Sequence, residues 1–357
     1  MRSLEIAGTK IGKNHPPFII AEMSGNHNQS LERALAIVDA AAKTGAHAIK
    51  LQTYTADTMT LNIDFDEFKV TDPDSLWFGR HLYDLYQEAH TPWEWHAPIM
   101  QRAKELGLIC FSTPFDETAV DFLETLNVPA YKISSFENTD VQLIKKIAST
   151  GKPVIASTGM SNLKDLQLLV STLRNNGCEQ FILLKCTSAY PACPEDANLK
   201  TIPHLSKMFS CQVGLSDHTM GIGVALAAVV LGATVIEKHL TLSRAEGGVD
   251  AAFSMEPDEF ALMVKNIKIA WESIGHISYG ASQHEDAQRG RRSLYFVKKM
   301  AAGEVIKRDC VKSVRPGFGL PTKYFDAIEG LVLTHAVEYG DPVKWQSFKS
   351  CKVKEVI

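Results

Sequence analysis

The stretches that decide the fold are Gly214-Leu215-Ser216-Asp217-His218 and Ile236-Glu237-Lys238-His239. Each closes a short apolar run with a histidine, and the same layout of an apolar run followed by ionisable residues recurs through the first two-thirds of the chain. If the two runs form neighbouring parallel strands, His218 and His239 lie side by side where those strands end. The pattern therefore predicts a pair of metal ligands at one rim of a barrel.

Apolar runs rich in β-branched residues alternate with helical patterns, several of which end in the glycine expected just past a helix. Near-continuous apolar strands covered by helices are typical of a parallel sheet, and eight repeats predict a (β/α)8 TIM barrel. The predicted strands span residues 18–23, 48–53, 109–115, 130–135, 153–159, 181–186, 212–218 and 234–240. The clearest helical patterns span residues 31–44, 93–106, 118–126, 140–149, 163–175 and about 255–275.

Composition divides the chain into two domains. Residues 1–276 hold the barrel pattern, which begins with an alternating segment at 4–11 that predicts a hairpin or plug. Residues 277–292 are mostly polar and charged and are predicted to be a linker. Residues 293–357 contain short alternating runs and turn signals, which predict a β-rich domain too small to be catalytic alone.

The connection between the second and third predicted strands, residues 54–92, is unusually long and rich in aromatic residues. A long loop on the active rim of a barrel is usually functional, as a lid or as a wall that sets specificity. The alternative is a surface excursion that its own aromatic side chains hold together.

Composition and charge exclude several classes of function. The net charge is -4 with Lys and Arg spread along the chain, so no polybasic surface for nucleic acid is expected. The longest apolar stretch, residues 224–231, is too short to span a membrane. The 7 cysteines lack a CxxC pair and no signal-peptide pattern is present, which predicts free thiols in a reducing cytoplasm. For Cys186 and Cys193, which flank a turn, packing is favoured over a metal or redox role.

Polar side chains stand at nearly every predicted strand end, where barrels of this type build their active sites. Lys50 and Lys132, with hydroxyl groups from neighbouring strands, predict a site for a phosphate or a carboxylate. Glu22 and Glu137 can balance those charges or move protons. Each residue alone has a structural alternative, a buried ion pair or a hydrogen-bonded core histidine. A complete ring of polar residues at the strand ends lowers stability, so its presence favours a binding function. Two histidines alone would leave a bound metal with positions open to water and substrate.

Several motifs are recognisable together. They are Ala21-Glu22-Met23-Ser24-Gly25-Asn26-His27-Asn28, Lys50-Leu51-Gln52-Thr53, Ser112-Thr113-Pro114-Phe115-Asp116, Tyr131-Lys132-Ile133, Ser157-Thr158-Gly159-Met160, Leu215-Ser216-Asp217-His218-Thr219 and Glu237-Lys238-His239. Jointly these motifs resemble the sialic acid synthase family. The C-terminal part, with Arg315-Pro316-Gly317-Phe318-Gly319, is similar to that family's antifreeze-like (SAF) domain. The resemblance covers nearly the whole chain.

The resemblance implies a metal-dependent condensation of phosphoenolpyruvate with an amino-sugar aldehyde, which gives a nine-carbon 2-keto acid and phosphate. It implies that His218 and His239 bind Mn²⁺ or Mg²⁺ and that Glu22 lies near the reacting carbons. It also implies a domain-swapped homodimer in which Arg315 enters the partner subunit's site and contacts the sugar's N-acyl group. The residues implied to hold phosphoenolpyruvate are Lys50, Thr113, Lys132, Ser135, Ser157 and Ser216. Those implied to face the sugar are Gln52, Glu137, Tyr190 and Asp250.

Within the family, the chain looks like the pseudaminic acid synthase branch. The segments that carry this likeness are residues 76–79, 82–86, 89–95, 184–188 and 247–254. Sialic and legionaminic acid synthases typically have a Gly-Pro-Asp-His stretch where Val249 and Ala251 flank Asp250 here, and this departure argues against N-acetylmannosamine as the substrate. The branch implies 2,4-diacetamido-2,4,6-trideoxy-altrose, a less polar 6-deoxy sugar. The aromatic residues from Trp77 to Trp95 suit such a sugar.

Three interpretations compete with this one. The first is a sialic or legionaminic acid synthase, which performs the same chemistry on a different sugar. The second is a metal-dependent aldolase on the same barrel, which needs a base or a Schiff-base lysine and releases no phosphate. The third is a carbohydrate-binding protein with an inert barrel, which the complete set of strand-end residues disfavours.

Overall fold

The structure, a computed structural model, describes residues 3–349 of the 357-residue chain. These residues form two compact units that divide between Gly275 and His276, and each unit has its own apolar core. Within the range 3–349, no helix is both long enough and apolar enough to cross a membrane.

The first unit is a closed barrel preceded by an antiparallel hairpin of β1 (Leu4–Ile6) and β2 (Thr9–Ile11). The eight barrel strands are β3 (Phe18–Glu22), β4 (Ala48–Thr53), β5 (Ile109–Pro114), β6 (Tyr131–Ile133), β7 (Val154–Ser157), β8 (Phe181–Cys186), β9 (Gln212–Asp217) and β10 (Val235–His239). All neighbouring pairs are parallel, and β10 closes the barrel against β3. The predicted TIM barrel is therefore confirmed. Strands β6 and β7 end before Ser135 and Thr158, because the chain there already turns into the loops above the barrel.

Helices follow the barrel strands and pack their apolar faces against the barrel wall. The helices of the first unit are α1 (Leu31–Thr44), α2 (Ala56–Met59), α3 (Leu82–Ala89), α4 (Trp93–Glu105), α5 (Glu117–Thr125), α6 (Val141–Ser149), α7 (Leu163–Asn175), α8 (Thr201–Phe209), α9 (Gly223–Val230) and α10 (Pro257–Ile274). The second unit contains α11 (Ala287–Gly290) and α12 (Phe325–Ile328). Helix α1 shows how local sequence sets the ends: the Ser30 side chain accepts a hydrogen bond from Arg33 N, and Gly45 ends the helix at a φ of 83°. The six clearest helical patterns in the sequence are confirmed.

Side chains alternate along each barrel strand between the barrel interior and the helix layer. The lower interior is a buried apolar cluster in which Leu4, Ile6 and Ile11 of the hairpin join Phe18 and Ile20 of β3. The predicted hairpin thus plugs the barrel bottom. Because apolar residues fill that end, the polar strand-end residues collect at the opposite, carboxyl-terminal end.

The second unit contains a two-stranded antiparallel sheet of β11 (Ser293–Phe296) and β12 (Val311–Val314). Isolated bridges extend this pairing, and Leu294, Phe296 and Leu333 are fully or almost fully buried in the unit's own core. Helix α11 lies within the segment predicted to be a linker. Residues 350–357 of the predicted C-terminal domain lie outside the described residues.

Candidate active site

The predicted site residues of the barrel come together around two adjoining cavities at the carboxyl-terminal ends of the strands. The inner cavity is small, about 60 Å³, and its predicted lining residues are Glu22, Lys50, Thr113, Lys132, Ser135, Ser157, Ser216, His218 and His239. The outer cavity is about 600 Å³, and its predicted lining residues are Gln52, Glu137, Tyr190 and Asp250. Gln52, Tyr190 and His239 line both cavities, so the two spaces share a boundary.

The register of the strands sets one layer of this site. On β3, Glu22 pairs with His239 of β10 on one side and with Lys50 of β4 on the other. On β10, Glu237 pairs with Ser216 of β9. Residues that end successive parallel strands thus become neighbours across the barrel rim.

Two lysines and two glutamates make a buried charge cluster in the inner cavity. Lys50 Nζ lies 2.7 Å from Glu22 Oε2 and 3.7 Å from Glu237 Oε1. Lys132 Nζ lies 3.7 Å from the same Glu237 oxygen and donates a hydrogen bond to Ser157 Oγ at 2.6 Å. Buried charges are costly unless they are paired. The cluster therefore combines paired charges with lysine and hydroxyl donors that suit an anion.

Burial and charge shift the pKa values of this cluster in opposite directions. Burial raises the pKa of Glu22 to about 7, although Lys50 opposes the shift. Burial also favours the neutral form of Glu237, but Lys132 and Lys50 outweigh it and lower the pKa of that carboxyl. For Lys50, burial acts against the charge, but Glu22 and Glu237 raise the pKa overall. Glu22 is thus a carboxyl group poised between its two protonation states near neutral pH.

Besides Glu22 Oε2, which forms an ion pair with Lys50, two buried polar atoms of the site have no hydrogen-bond partner within residues 3–349. They are Glu237 Oε2 and His239 Nδ1. Buried polar atoms in folded proteins are nearly always satisfied, so each such atom requires an explanation. Both atoms belong to residues that line the inner cavity, and a bound ligand would supply the missing partners.

The two histidine rings lie together, with their centroids 5.4 Å apart. His218 Nδ1 lies 2.8 Å from the Thr187 carbonyl oxygen, which requires a proton on Nδ1 and leaves Nε2 as the metal-binding atom. Burial, and then the neighbouring His218, hold the pKa of His239 well below its usual value, so His239 is a neutral imidazole. Two imidazoles of this kind fit a divalent metal.

His218 also contacts a thiol. Burial opposes the charged forms of both groups, but the contact between Cys186 Sγ and His218 Nδ1, at 3.9 Å, outweighs it. The pKa of Cys186 is lowered to about 7 and that of His218 is raised. A metal ion would displace the proton from His218. Within the described part of the chain, no group of three or more His, Cys, Asp or Glu residues could hold a metal ion, so the histidine pair would need ligands from water or substrate.

The inner end of the outer cavity is polar and hydrogen-bonded. Gln52 Nε2 donates hydrogen bonds of 3.0 Å to both Glu22 Oε1 and Ser24 Oγ. The Ser24 hydroxyl in turn donates to Asp250 Oδ2, which lies 3.8 Å from His239 Nδ1. Burial raises the pKa of Asp250 despite the Ser24 hydrogen bond. This chain links the carboxyl groups of Glu22 and Asp250 beside the histidine pair.

The long connection at residues 54–92 forms one wall of the outer cavity and contains α2 and α3. Trp77 joins it to the site, because its indole Nε1 donates a hydrogen bond of 2.9 Å to the Val249 carbonyl oxygen and its ring packs on Tyr190. Not every aromatic residue of the predicted sugar-facing group reaches the cavity. Trp93 stacks on Phe122 and Trp95 packs against His27, so both stabilise the fold.

The sequence interpretation missed several residues of the site. Glu237 appeared only as a strand-end residue without a role, and Cys186 was expected to pack, yet both line the inner cavity. The signal that finds them is the two-residue alternation of a strand. Counted back from His239, it selects Glu237 and rejects Lys238, which instead pairs with Asp217 at 2.7 Å. Other lining residues that the sequence did not identify are Ser24, Tyr54, Thr58, Met59, Val70, Leu82, Leu85, Ala89, Phe115, Ser134, Phe136, Thr139 and Asp140.

Arg315 is exposed on the second unit. Its guanidinium forms no hydrogen bond or ion pair with any side chain or backbone group in the stretch 3–349. Its contact with the sugar in a partner subunit stays a prediction.

Comparison with known proteins gives the same assignment for both units. The sequence matches the NeuB family over residues 37–279 and the SAF domain over residues 291–349. A pseudaminic acid synthase of Campylobacter jejuni subsp. jejuni serotype O:23/36 is 42% identical over 335 residues, which cover 93% of this chain and 96% of that protein. A pseudaminic acid synthase of Helicobacter pylori is 42% identical over 330 residues, which cover 92% of this chain and 96% of that protein.

A solved structure extends the match to the fold. It is an N-acetylneuraminic acid (sialic acid) synthetase from Leptospira borgpetersenii serovar Hardjo-bovis in complex with citrate, with a TM-score of 0.71 and 31% identity. The match covers 79% of this chain and 93% of that chain. Since the barrel, its ring of strand-end residues and the C-terminal domain all agree with the family that the motifs resemble, the chain belongs to the NeuB family.

Proposed function

We propose that this chain is a pseudaminic acid synthase, which condenses phosphoenolpyruvate with 2,4-diacetamido-2,4,6-trideoxy-altrose and releases phosphate. The observation that carries the proposal is the pair of adjoining cavities that share His239, Gln52 and Tyr190. One cavity is small and lined by cationic and hydroxyl groups, and the other has room for a sugar. The curated relatives at 42% identity that bear this name give further support.

The inner cavity suits phosphoenolpyruvate because lysine and hydroxyl donors converge there. Lys132 and Ser157 already contact each other at 2.6 Å, and Lys50 Nζ donates to Thr113 Oγ1 at 3.2 Å. These donors would hold the phosphate and carboxylate of the substrate. They would also stabilise the charge that develops on phosphate as it leaves.

The chemistry joins C3 of phosphoenolpyruvate to the aldehyde carbon of the sugar, and positive charge develops at C2. The carboxylates of Glu22 and Glu237, which line the inner cavity, would stabilise that charge. Water adds at C2, Glu22 can accept its proton, and the bond between C2 and the phosphate oxygen breaks to release phosphate. A pKa of about 7 suits Glu22 to this proton transfer.

The residues that would hold the metal are His218 and His239, with Mn²⁺ or Mg²⁺ as the expected ion. The neutral His239 ring, whose Nδ1 makes no hydrogen bond within residues 3–349, fits this role. A bound metal would supply a Lewis acid for the sugar's aldehyde oxygen. Asp250 and Gln52 would orient the adjacent hydroxyl and amide groups of the sugar at the same end of the outer cavity.

The experiment that tests this function is phosphate release from phosphoenolpyruvate in the presence of Mn²⁺, with and without the diacetamido sugar. Phosphate that appears only with sugar supports the synthase. Carbon–carbon bond formation without phosphate release would support the aldolase, and binding of both substrates without turnover would support a binding protein.

A second candidate is an N-acetylneuraminate synthase with the same mechanism. The observation that favours it is the likeness of the fold to the Leptospira synthetase. The legionaminic acid precursor is the third sugar to offer if neither of the other two reacts.

We propose further that the active form is a homodimer in which Arg315 completes the partner subunit's site. Two features support this. Large apolar side chains are exposed on the loops above the barrel, among them Phe65, Phe78 and Phe136, and covering them would be favourable. The second unit also has more basic than acidic residues while the barrel has the reverse, which favours contact between unlike units of two subunits.

A cytoplasmic location accords with the described cysteines, which are all free thiols.

Mixing two inactive variants tests the composite site. An Arg315→Ala chain and a His239→Ala chain should each be inactive, because each lacks one part of every site. After subunit exchange at equal amounts, roughly a quarter of all sites are intact in a swapped dimer, and a similar share of activity should return. A mixture of His239→Ala and Glu22→Gln is the control, since both changes lie in the barrel and no intact site can form. Heterodimers that recover nothing would count against a cross-subunit Arg315.

A further inference from the structure

The outer cavity has two chemically different ends. Its inner end carries Gln52, Asp250 and His239, all polar and next to the inner cavity. The wall that the connection at residues 54–92 forms is mostly apolar and aromatic, and none of its residues lines the inner cavity. Its aliphatic side chains are Met59, Val70, Leu82, Leu85 and Ala89, and Tyr54, Thr58, Trp77 and Tyr86 complete the wall.

The chemistry orients the sugar in this cavity, an argument that rests on the proposed function. The aldehyde carbon must lie at the shared boundary, because it bonds to phosphoenolpyruvate in the inner cavity. An open six-carbon chain spans about 6 Å, so its sixth carbon points away from that boundary. The remote end of the sugar therefore meets the wall of Val70, Leu82 and their apolar neighbours.

The wall is built before any sugar binds. Val70 and Gly79 form a short ladder, in which Gly79 N donates to the Val70 carbonyl oxygen at 2.8 Å. Leu85 is buried in α3, and Trp77 ties the same segment to the Val249 carbonyl at 2.9 Å. Since these contacts fix the segment, the wall presents a defined apolar surface and can discriminate between ligands.

We propose that Met59, Val70 and Leu82 form a subsite for the methyl group at C6 of the sugar, and that Leu82 selects this deoxygenated end over a hydroxymethyl group. A methyl group packs on these three side chains, whereas a hydroxyl group there would lose its hydrogen bonds to water and gain none from Met59, Val70 or Leu82. An apolar pocket rejects a ligand with one added hydroxyl by up to about 100-fold. The long connection is therefore the specificity element of the enzyme.

The test compares two sugars that differ only at C6: 2,4-diacetamido-2,4,6-trideoxy-altrose and its analogue with a hydroxyl at C6. For the wild-type protein, kcat/KM should favour the deoxy sugar by up to about 100-fold. Leu82→Asn, which is close to leucine in size and offers hydrogen bonds, should reduce this ratio by about tenfold or more. Leu163→Asn is the matched control, because Leu163 is likewise the first residue of a helix, α7, and does not line the cavities. The control should keep the wild-type ratio.

If Leu82→Asn still turns over the deoxy sugar and keeps the wild-type ratio of kcat/KM values, the proposed subsite is wrong. The proposed function would remain supported. If the wild-type protein turns over neither sugar, the proposed function itself is contradicted. If Leu82→Asn loses its circular dichroism spectrum, Val70→Thr makes the same comparison with a nearly isosteric change. An unchanged ratio in that folded variant would equally overturn the inference.

Discussion

Replacing His239 with alanine should abolish divalent metal binding and lower kcat/KM by about 10³-fold or more. The His239 ring is neutral, its Nδ1 has no hydrogen-bond partner among the described residues, and it lies beside His218 with a centroid separation of 5.4 Å. Within residues 3–349 the proposed site offers two protein ligands, so removal of one would leave a single imidazole that cannot hold the ion. Loss of a Lewis acid at the aldehyde costs several kcal/mol of transition-state stabilisation.

Equilibrium dialysis with Mn²⁺ measures this loss directly, alongside turnover. His204→Ala is the matched control, because His204 is an exposed histidine on α8. The control should keep wild-type binding and activity. Stoichiometric Mn²⁺ binding by a folded His239→Ala protein would show that the histidine pair is not the metal site.

Replacing Glu22 with glutamine should lower kcat by about 10²- to 10⁴-fold, because the amide cannot exchange a proton with the water that adds at C2. Glutamine has nearly the same size, and Lys50 keeps Glu237 as an ion-pair partner at 3.7 Å. Binding of phosphoenolpyruvate should therefore change less than kcat. Steady-state kinetics with phosphoenolpyruvate varied at saturating sugar separate the two effects.

The same substitution should change how stability depends on pH. Burial raises the pKa of Glu22 in the folded protein to about 7, above the usual value of 4.5 that it regains on unfolding. Its contribution to stability is therefore complete below about pH 4.5 and is lost as the pH rises through about 7. The melting temperature of the wild-type protein should fall across this window relative to Glu22→Gln. If the melting temperatures of the two proteins vary with pH in the same way, and Glu22→Gln keeps the wild-type kcat, the assigned role of Glu22 is contradicted.

The barrel and most of its site follow from local patterns that a sequence displays directly. An apolar run that ends in Lys50 or His218 identifies both a strand and its active end, because parallel strands in a barrel all present the same end to the site. Every barrel residue that the family resemblance implies as a site residue lines one of the two cavities. Other strand-end residues, such as Asp217 and Lys238, pair with each other instead.

The residues that the sequence did not identify depend on which way a side chain faces or on contacts between distant segments. Glu237 and Lys238 are adjacent and both ionisable, yet one faces the cavity and the other pairs with Asp217 in the barrel wall. The apolar wall of Val70 and Leu82 depends on the folding of a long connection, whose path no periodic pattern reveals. Trp77 shows the same limit, since its partner Val249 lies 172 residues away in the chain.

The most direct test of the central claim compares two sugars in the phosphate-release assay with Mn²⁺. Phosphoenolpyruvate would be offered with 2,4-diacetamido-2,4,6-trideoxy-altrose and, in parallel, with N-acetylmannosamine, and kcat/KM would be measured for each sugar. The account predicts phosphate release with the diacetamido sugar and little or none with N-acetylmannosamine. Equal or faster turnover of N-acetylmannosamine would keep the family and the metal site but contradict the assignment as a pseudaminic acid synthase.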